Sequence, residues 1–280
     1  MEKMSFAERL LERGRGCNSL LCVGLDPVWE RLPEAIRREP DPVLAFNRAV
    51  VEATVPWACA FKPNIAFYEA LGPAGLEALR RTIAFIHRQT EALVIIDAKR
   101  ADVGHTAAAY ARALFDLLET DAVTLNPYLG GDALGPFLKR PEKGCFILCR
   151  TSNPGAGEFQ DLPVNGRPLY LVVAERVRQW NERGNCGLVV GATFPEELAQ
   201  VRATCPGMPL LIPGVGAQQG DLARAVQAGM DGRGEGILVN ASRSILYASS
   251  GSDFAEAAAR AARELCEAIQ AARSREQRSG

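Results

Sequence analysis

The chain has 280 residues, 48% hydrophobic and 23% charged, with 32 basic against 33 acidic side chains and a formal net charge of -1. That balance excludes a general nucleic-acid binder or a binder of anionic membranes, since either carries a basic excess. No apolar run approaches the roughly 18 residues that span a bilayer, and residues 1–15 are charged throughout without the apolar core of a secretion signal, so the expectation is a cytoplasmic protein with neither nucleic acid nor membrane as a partner.

Ser5 with Glu8 three residues on is a capping-box signature for a helix that precedes the first strand. Eight short apolar runs follow, at 20–25, 57–61, 92–96, 122–125, 145–149, 187–191, 209–212 and 236–239. Amphipathic or Ala-rich stretches alternate with them and predict helices at 41–54, 73–89, 104–119, 130–139, 167–182, 195–203, 219–229 and 252–273. Asp41-Pro42 supports the first of these as an N-cap followed by proline at the first helical position. Runs that are apolar on both faces predict a parallel sheet covered by helices. Eight βα units of this length close most naturally into a single (β/α)8 TIM barrel over 1–280, with an extra N-terminal helix and a frayed polar tail at 274–280. The open doubly wound sheet is disfavoured because no G-x-G-x-x-G follows the first run.

The eight cysteines include no C-x-x-C pair, and only two histidines are available. Buried free thiols are therefore expected in place of disulfides or zinc ligands. Of the basic residues only five are lysine (Lys3, Lys62, Lys99, Lys139 and Lys143), and the other 27 are arginine. A chain that uses lysine so sparingly, yet places Lys62 and Lys99 at the ends of apolar runs, points to a need for a compact, titratable ammonium.

In a (β/α)8 barrel the active site lies at the C-terminal ends of the strands. The first expected strand ends in Asp26, the second in Lys62, and the third in Asp97 and Lys99, with Asp102 in the loop beyond. Asp97 and Lys99, two apart on a strand, share one face. A single charged strand end is most simply a salt bridge that fixes register. Three in succession are expensive to desolvate without function, and alternating carboxylates can hold a lysine protonated in a dry pocket, ready to deliver a proton. The seventh run ends in Pro213-Gly214-Val215-Gly216-Ala217-Gln218 and the eighth in Asn240-Ala241-Ser242-Arg243-Ser244. These two loops are the recurrent barrel site for phosphate, and Arg243 adds a fork suited to its oxygens. Ser152, after the fifth run, belongs first to a turn but can also reach a polar ligand. His105 is expected to be a solvated residue at a helix start, and His87 a structural one.

The segments I-I-D-A-K-R-A-D at 95–102, Lys62 after the second run, P-G-V-G-A-Q after the seventh and S-R-S-I after the eighth together resemble the orotidine 5'-phosphate decarboxylase family. The resemblance runs from Leu25-Asp26 to Arg243, in order, and is nearest the longer bacterial subfamily, whose T-x-N-P-Y segment is matched by Thr124-Leu125-Asn126-Pro127-Tyr128. Ile96 and Ala101 depart from the usual alanine and glycine, and neither position is charged. The resemblance implies that Lys62, Asp97, Lys99 and Asp102 form a catalytic array and that Asp102 and Thr106 reach a neighbouring site across a homodimer. It implies that Asp26 holds ribose hydroxyls, that Ser152 contacts the pyrimidine, and that Gln218 and Arg243 bind phosphate beside the backbone at Pro213 and Ser242. It implies orotidine 5'-monophosphate as substrate, UMP as product, and no metal or organic cofactor.

Three rival readings compete. A 3-keto-L-gulonate 6-phosphate decarboxylase shares D-x-K-x-x-D but uses Mg2+ and carries an acid where Lys62 stands. A class I aldolase needs a lysine of lowered pKa, which flanking carboxylates oppose. A non-catalytic phosphate-binding barrel has little reason to keep the charges.

Overall fold

The computed structural model describes residues 4–214 and 219–276. Eight strands, β1 (Leu21–Leu25), β2 (Ala60–Pro63), β3 (Leu93–Arg100), β4 (Ala122–Leu125), β5 (Gly144–Arg150), β6 (Cys186–Val190), β7 (Leu210–Pro213) and β8 (Ile237–Ala241), close into a barrel. Each pairs in parallel with its neighbours in the chain, and β8 returns to pair with β1. The expected (β/α)8 architecture is present. Alternation along each strand separates two apolar layers. Ala60, Ile95, Phe146 and Leu238 fill the barrel interior, while Phe61, Ile96, Ile147 and Val239 pack outward beneath the helices.

The N-terminal helix Phe6–Gly16 begins with the expected capping box. It closes the barrel end opposite the C-terminal mouth. Phe6 packs edge-on against Phe146 with ring centroids 5.8 Å apart, and Gly144 leaves room for it, since a Cβ there would lie 2.4 Å from the Phe6 ring. Arg15 grips Glu235 through two 2.8 Å hydrogen bonds, and Arg9 pairs with Asp121. Asp121 also accepts from the Val94 amide and pairs with His87 Nε2, each at 2.9 Å. His87 is thus structural, at the end of the barrel away from the mouth.

Several boundaries differ from expectation for identifiable reasons. β2 starts later than 57–61 because Trp57 and Ala58 turn back onto the preceding helix Pro42–Thr54, donating to Thr54 and Val55 carbonyls at 3.0 and 3.4 Å. β2 and β3 both continue past their last apolar residue and take Lys62, Asp97 and Lys99 into the strands. The helix expected over 104–119 is α-helical at Gly104–Arg112 and widens to a π-helical turn at Ala113–Leu117. The loop after β5 carries an unexpected antiparallel hairpin, Pro163–Val164 with Arg167–Pro168, turned by Asn165 and Gly166 at φ 51° and 76°. The last helix, Phe254–Glu276, continues into the segment expected to fray, and 277–280 lie outside the described residues. All eight cysteines are free and seven are buried. Burial pushes the Cys22 thiol up to about 12. No described helix is long and apolar enough to cross a membrane.

Candidate active site

Asp97 is the hub of the mouth. Its Oδ2 accepts from Lys62 Nζ at 3.1 Å, and its Oδ1 accepts from Lys99 Nζ at 2.6 Å and from Thr124 Oγ1 at 2.8 Å. Lys62 belongs to the barrel interior, where its side chain is 5% exposed, whereas that of Lys99 is 48% exposed at the rim. Burial alone would push the Lys62 ammonium down, but Asp97 and Asp26 outweigh it and hold its pKa above the ordinary lysine value. For Asp97, burial raises the carboxyl, yet Lys62 and Lys99 prevail and set it at about 2. At neutral pH the hub is therefore an anion between two cations.

The backbone at Lys99 is unusual. Its φ is +47°, a left-handed conformation costing a side chain about 1–2 kcal/mol. The β3–β4 register slips between Ile96 and Arg100 at this point, and the Lys99 amide leaves the ladder to donate to Thr124 Oγ1 at 2.9 Å. The strand thus turns the Lys99 ammonium back onto Asp97 while leaving it open to a ligand.

The other expected residues divide. Asp26 follows β1 and accepts from the Asn64 amide at 3.2 Å. Ser152 stands between the ends of β6 and β7, because a Cβ on Gly191 would lie 2.8 Å from its Cβ and one on Gly214 3.2 Å from its Oγ. Ser242 lies against β1, where a Cβ on Gly24 would fall 1.7 Å from its Oγ. Only glycine fits at position 24. Pro213 ends β7 beside Asn240 of β8. Arg243 is exposed at the start of the four-residue helix Arg243–Leu246 and makes no ion pair among the described residues. Gln218 lies outside the described residues. Asp102 is not brought to Lys99 within the chain; its Oδ1 accepts from the adjacent Val103 amide at 2.7 Å. Thr106 lies one turn further on, in Gly104–Arg112, with its amide on the Val103 carbonyl. His105 is exposed at that helix start, as expected.

Three residues not singled out from the sequence support this arrangement. Thr124 is one. Arg150, 4% exposed at the end of β5, holds Asp161 at 3.0 Å and lies 4.0 Å over the Phe194 ring, which fastens the loop carrying Ser152. Asn240 shares the interior face of β8 with Leu238, and its buried Oδ1 has no partner among the described residues. Strand parity was the available signal for Thr124 and Asn240, since polar residues in phase with interior apolar ones face the mouth. Among the described residues no group of three or more His, Cys, Asp or Glu is arranged to hold a metal ion.

Fold and site together define a (β/α)8-barrel protein with a lysine–aspartate–lysine array at its C-terminal mouth. The profile of the Orotidine 5'-phosphate decarboxylase / HUMPS family matches residues 19–261, and the chain belongs to that family. It is 54% identical over 270 residues to an orotidine 5'-phosphate decarboxylase of Thermomicrobium roseum, covering 95% of each chain. It is 52% identical over 271 residues to that of Roseiflexus castenholzii, covering 96% of this chain and 98% of the relative. The solved structure of Leishmania donovani OMP decarboxylase superposes with a TM-score of 0.83 at 41% identity, over 96% of this chain and 99% of that one.

Proposed function

We propose that this protein decarboxylates orotidine 5'-monophosphate to UMP, the last step of de novo UMP synthesis, with neither metal nor organic cofactor. The observation that carries the reading is Asp97 shared between buried Lys62 and half-exposed Lys99. Loss of CO2 from C6 of the orotate ring leaves a vinylic carbanion that no ring carbonyl can absorb as a simple enolate. A cation fixed beside C6 before the reaction stabilises that charge as it develops, at no cost of reorganisation in the transition state. Lys99, its ammonium held against Asp97 Oδ1 at 2.6 Å, is that group, and its proton passes to C6. Lys62 holds Asp97 ionised and in place.

The remaining contacts bind the substrate. Asp26 takes ribose hydroxyls, Ser152 the pyrimidine, and Arg243, Gln218 and the backbone at Pro213 and Ser242 the phosphate. Phosphate binding remote from C6 then contributes energy realised at the transition state. Asp102 and Thr106 complete the pocket of a second copy in a homodimer, which fits an Asp102 that makes no ion pair among the described residues of its own chain. The enzyme works in the cytoplasm. The Mg2+ and enediolate chemistry of a 3-keto-L-gulonate 6-phosphate decarboxylase is opposed by Lys62, an ammonium where that chemistry has an acid.

The test is to add orotidine 5'-monophosphate to purified, EDTA-treated protein and follow its absorbance. Decay of the orotate band with formation of UMP is expected; an unchanged spectrum rejects the reading.

A further inference from the structure

Tyr247 stands four residues after Arg243, at the end of the short helix Arg243–Leu246, and its amide donates to the Arg243 carbonyl at 3.2 Å. Its hydroxyl crosses the seam between β8 and β1. There it accepts from the Val28 amide at 2.7 Å and donates to the Asp26 carbonyl at 2.9 Å. One phenol oxygen thus secures the backbone on both sides of Pro27, just beyond the end of β1. The ring itself is fixed between two groups: Phe46 is stacked at 6.1 Å, and the Arg31 guanidinium lies 3.8 Å from the ring centroid. Burial raises the pKa of the hydroxyl, which therefore stays a donor through the neutral range.

A second tyrosine acts on the same strand differently. Tyr68 donates to the Leu25 carbonyl at 2.9 Å, and that contact holds the strand itself. Tyr247 holds the residues after it, including the one whose carboxylate faces Asn64. The segments carrying Asp26 and Arg243 are far apart in sequence, and the Tyr247 hydroxyl joins them.

We propose that Tyr247 is a positioning residue that fixes the Asp26 carboxylate relative to Arg243, so that the ribose hydroxyls and the phosphate of the substrate are held at a set separation. This deepens the reading given above and rests on it for the roles of Asp26 and Arg243. Two anchors at fixed spacing orient the ribose and, through its glycosidic bond, the pyrimidine beyond it, so a small misplacement at either is felt at the reacting carbon.

The experiment is a pair of double-mutant cycles on the full chain. Tyr247→Phe keeps the ring contacts and removes only the hydroxyl. It is expected to lower kcat/KM for orotidine 5'-monophosphate about tenfold, the scale of one lost hydrogen-bonding group, with Tm within about 4 °C of wild type. Combined with Asp26→Ala, or with Arg243→Ala, it should add no more than about a twofold further loss, because the hydroxyl acts through those residues. Where turnover of a double variant is too slow, UMP affinity by calorimetry closes the same cycle. Penalties that multiply in either cycle, or a Tyr247→Phe variant within twofold of wild type, overturn the proposal. A wild-type protein that leaves orotidine 5'-monophosphate intact rejects the proposed function, and this proposal with it; an active wild type with multiplying penalties rejects Tyr247 alone.

Discussion

The Thr124 hydroxyl donates to Asp97 Oδ1 at 2.8 Å across the seam where the β3–β4 register slips. Thr124 Oγ1 in turn accepts from the amide of Lys99, the residue with left-handed backbone. One small side chain therefore supports both the anion of the hub and the conformation that aims the ammonium. Thr124→Val keeps shape and burial but removes both interactions. It should lower kcat by about 10- to 100-fold, since the site tolerates little displacement, with a much smaller change in KM. Steady-state kinetics decides this, and a wild-type kcat would show that Asp97 and Lys99 hold their geometry unaided.

The pKa of Asp97, about 2 in the fold, sets an acid limit on stability. Its unfolded value is near 3.9. A carboxyl depressed by folding contributes stability that is present above the unfolded value and lost as pH falls through the folded one, here roughly 2 kcal/mol between about pH 4 and pH 2. Lys62 is raised by folding, so its share is intact below the unfolded lysine value near 10.4 and disappears only as pH rises beyond it. The hub is thus fully charged across the neutral range. Asp97→Asn should be less stable at pH 7, because it leaves a buried ammonium short of its counter-ion, and its stability should fall less steeply between about pH 4 and pH 2 than that of wild type. Denaturant unfolding at stepped pH measures the slope; equal acid slopes would reject the assignment of that limb to Asp97.

The barrel was legible because its strands, buried on both faces, read as apolar runs, and because Asp41-Pro42 and Ser5 with Glu8 mark helix starts through local chemistry. What the runs hid was where strands end. Hydrophobicity stops at Phe61 and Ile96, but the ladder continues through Lys62 and Asp97 because those side chains enter a mouth where other charges replace water. The hairpin after β5 had its own signal, Asn165-Gly166 flanked by Val164 and Arg167, which the neighbouring helical pattern obscured. Contacts such as Tyr247 with Asp26 join segments 221 residues apart, and no local pattern encodes such a pairing.

Arg243 is exposed and makes no ion pair among the described residues, which leaves its guanidinium available to an anion. Arg243→Ala should weaken turnover of orotidine 5'-monophosphate by about a hundredfold or more, the worth of a charge-assisted bidentate contact, while Tm stays near that of wild type. Added phosphite dianion should raise turnover of the phosphate-free nucleoside by wild type and do little for the variant, because the binding energy of the free anion is realised through the same residue. Equal activity of the two proteins on orotidine 5'-monophosphate would remove Arg243 from the phosphate site.

Asp102 makes no ion pair among the described residues of its own chain, whereas Asp97 and Lys99 are joined within one chain. If Asp102 and Thr106 serve the pocket of a second copy, each active site draws residues from two chains, and inactive variants become informative in mixtures. Lys99→Ala alone and Asp102→Ala alone should each be inactive. In a mixed dimer, the pocket built on the Lys99→Ala chain receives the altered Asp102 position of its partner and carries both lesions. The pocket built on the Asp102→Ala chain keeps its own Lys99 and receives an intact Asp102, so it carries none. Random pairing after co-refolding makes about half the dimers mixed, each with one intact site of two, and a closed two-fold arrangement then limits recovery to about a quarter of wild-type activity. Native mass spectrometry establishes that mixed dimers formed. Recovery toward that ceiling is expected; mixed dimers that form and stay inactive would mean that Asp102 acts beside Lys99 in its own chain, against the geometry of the single subunit.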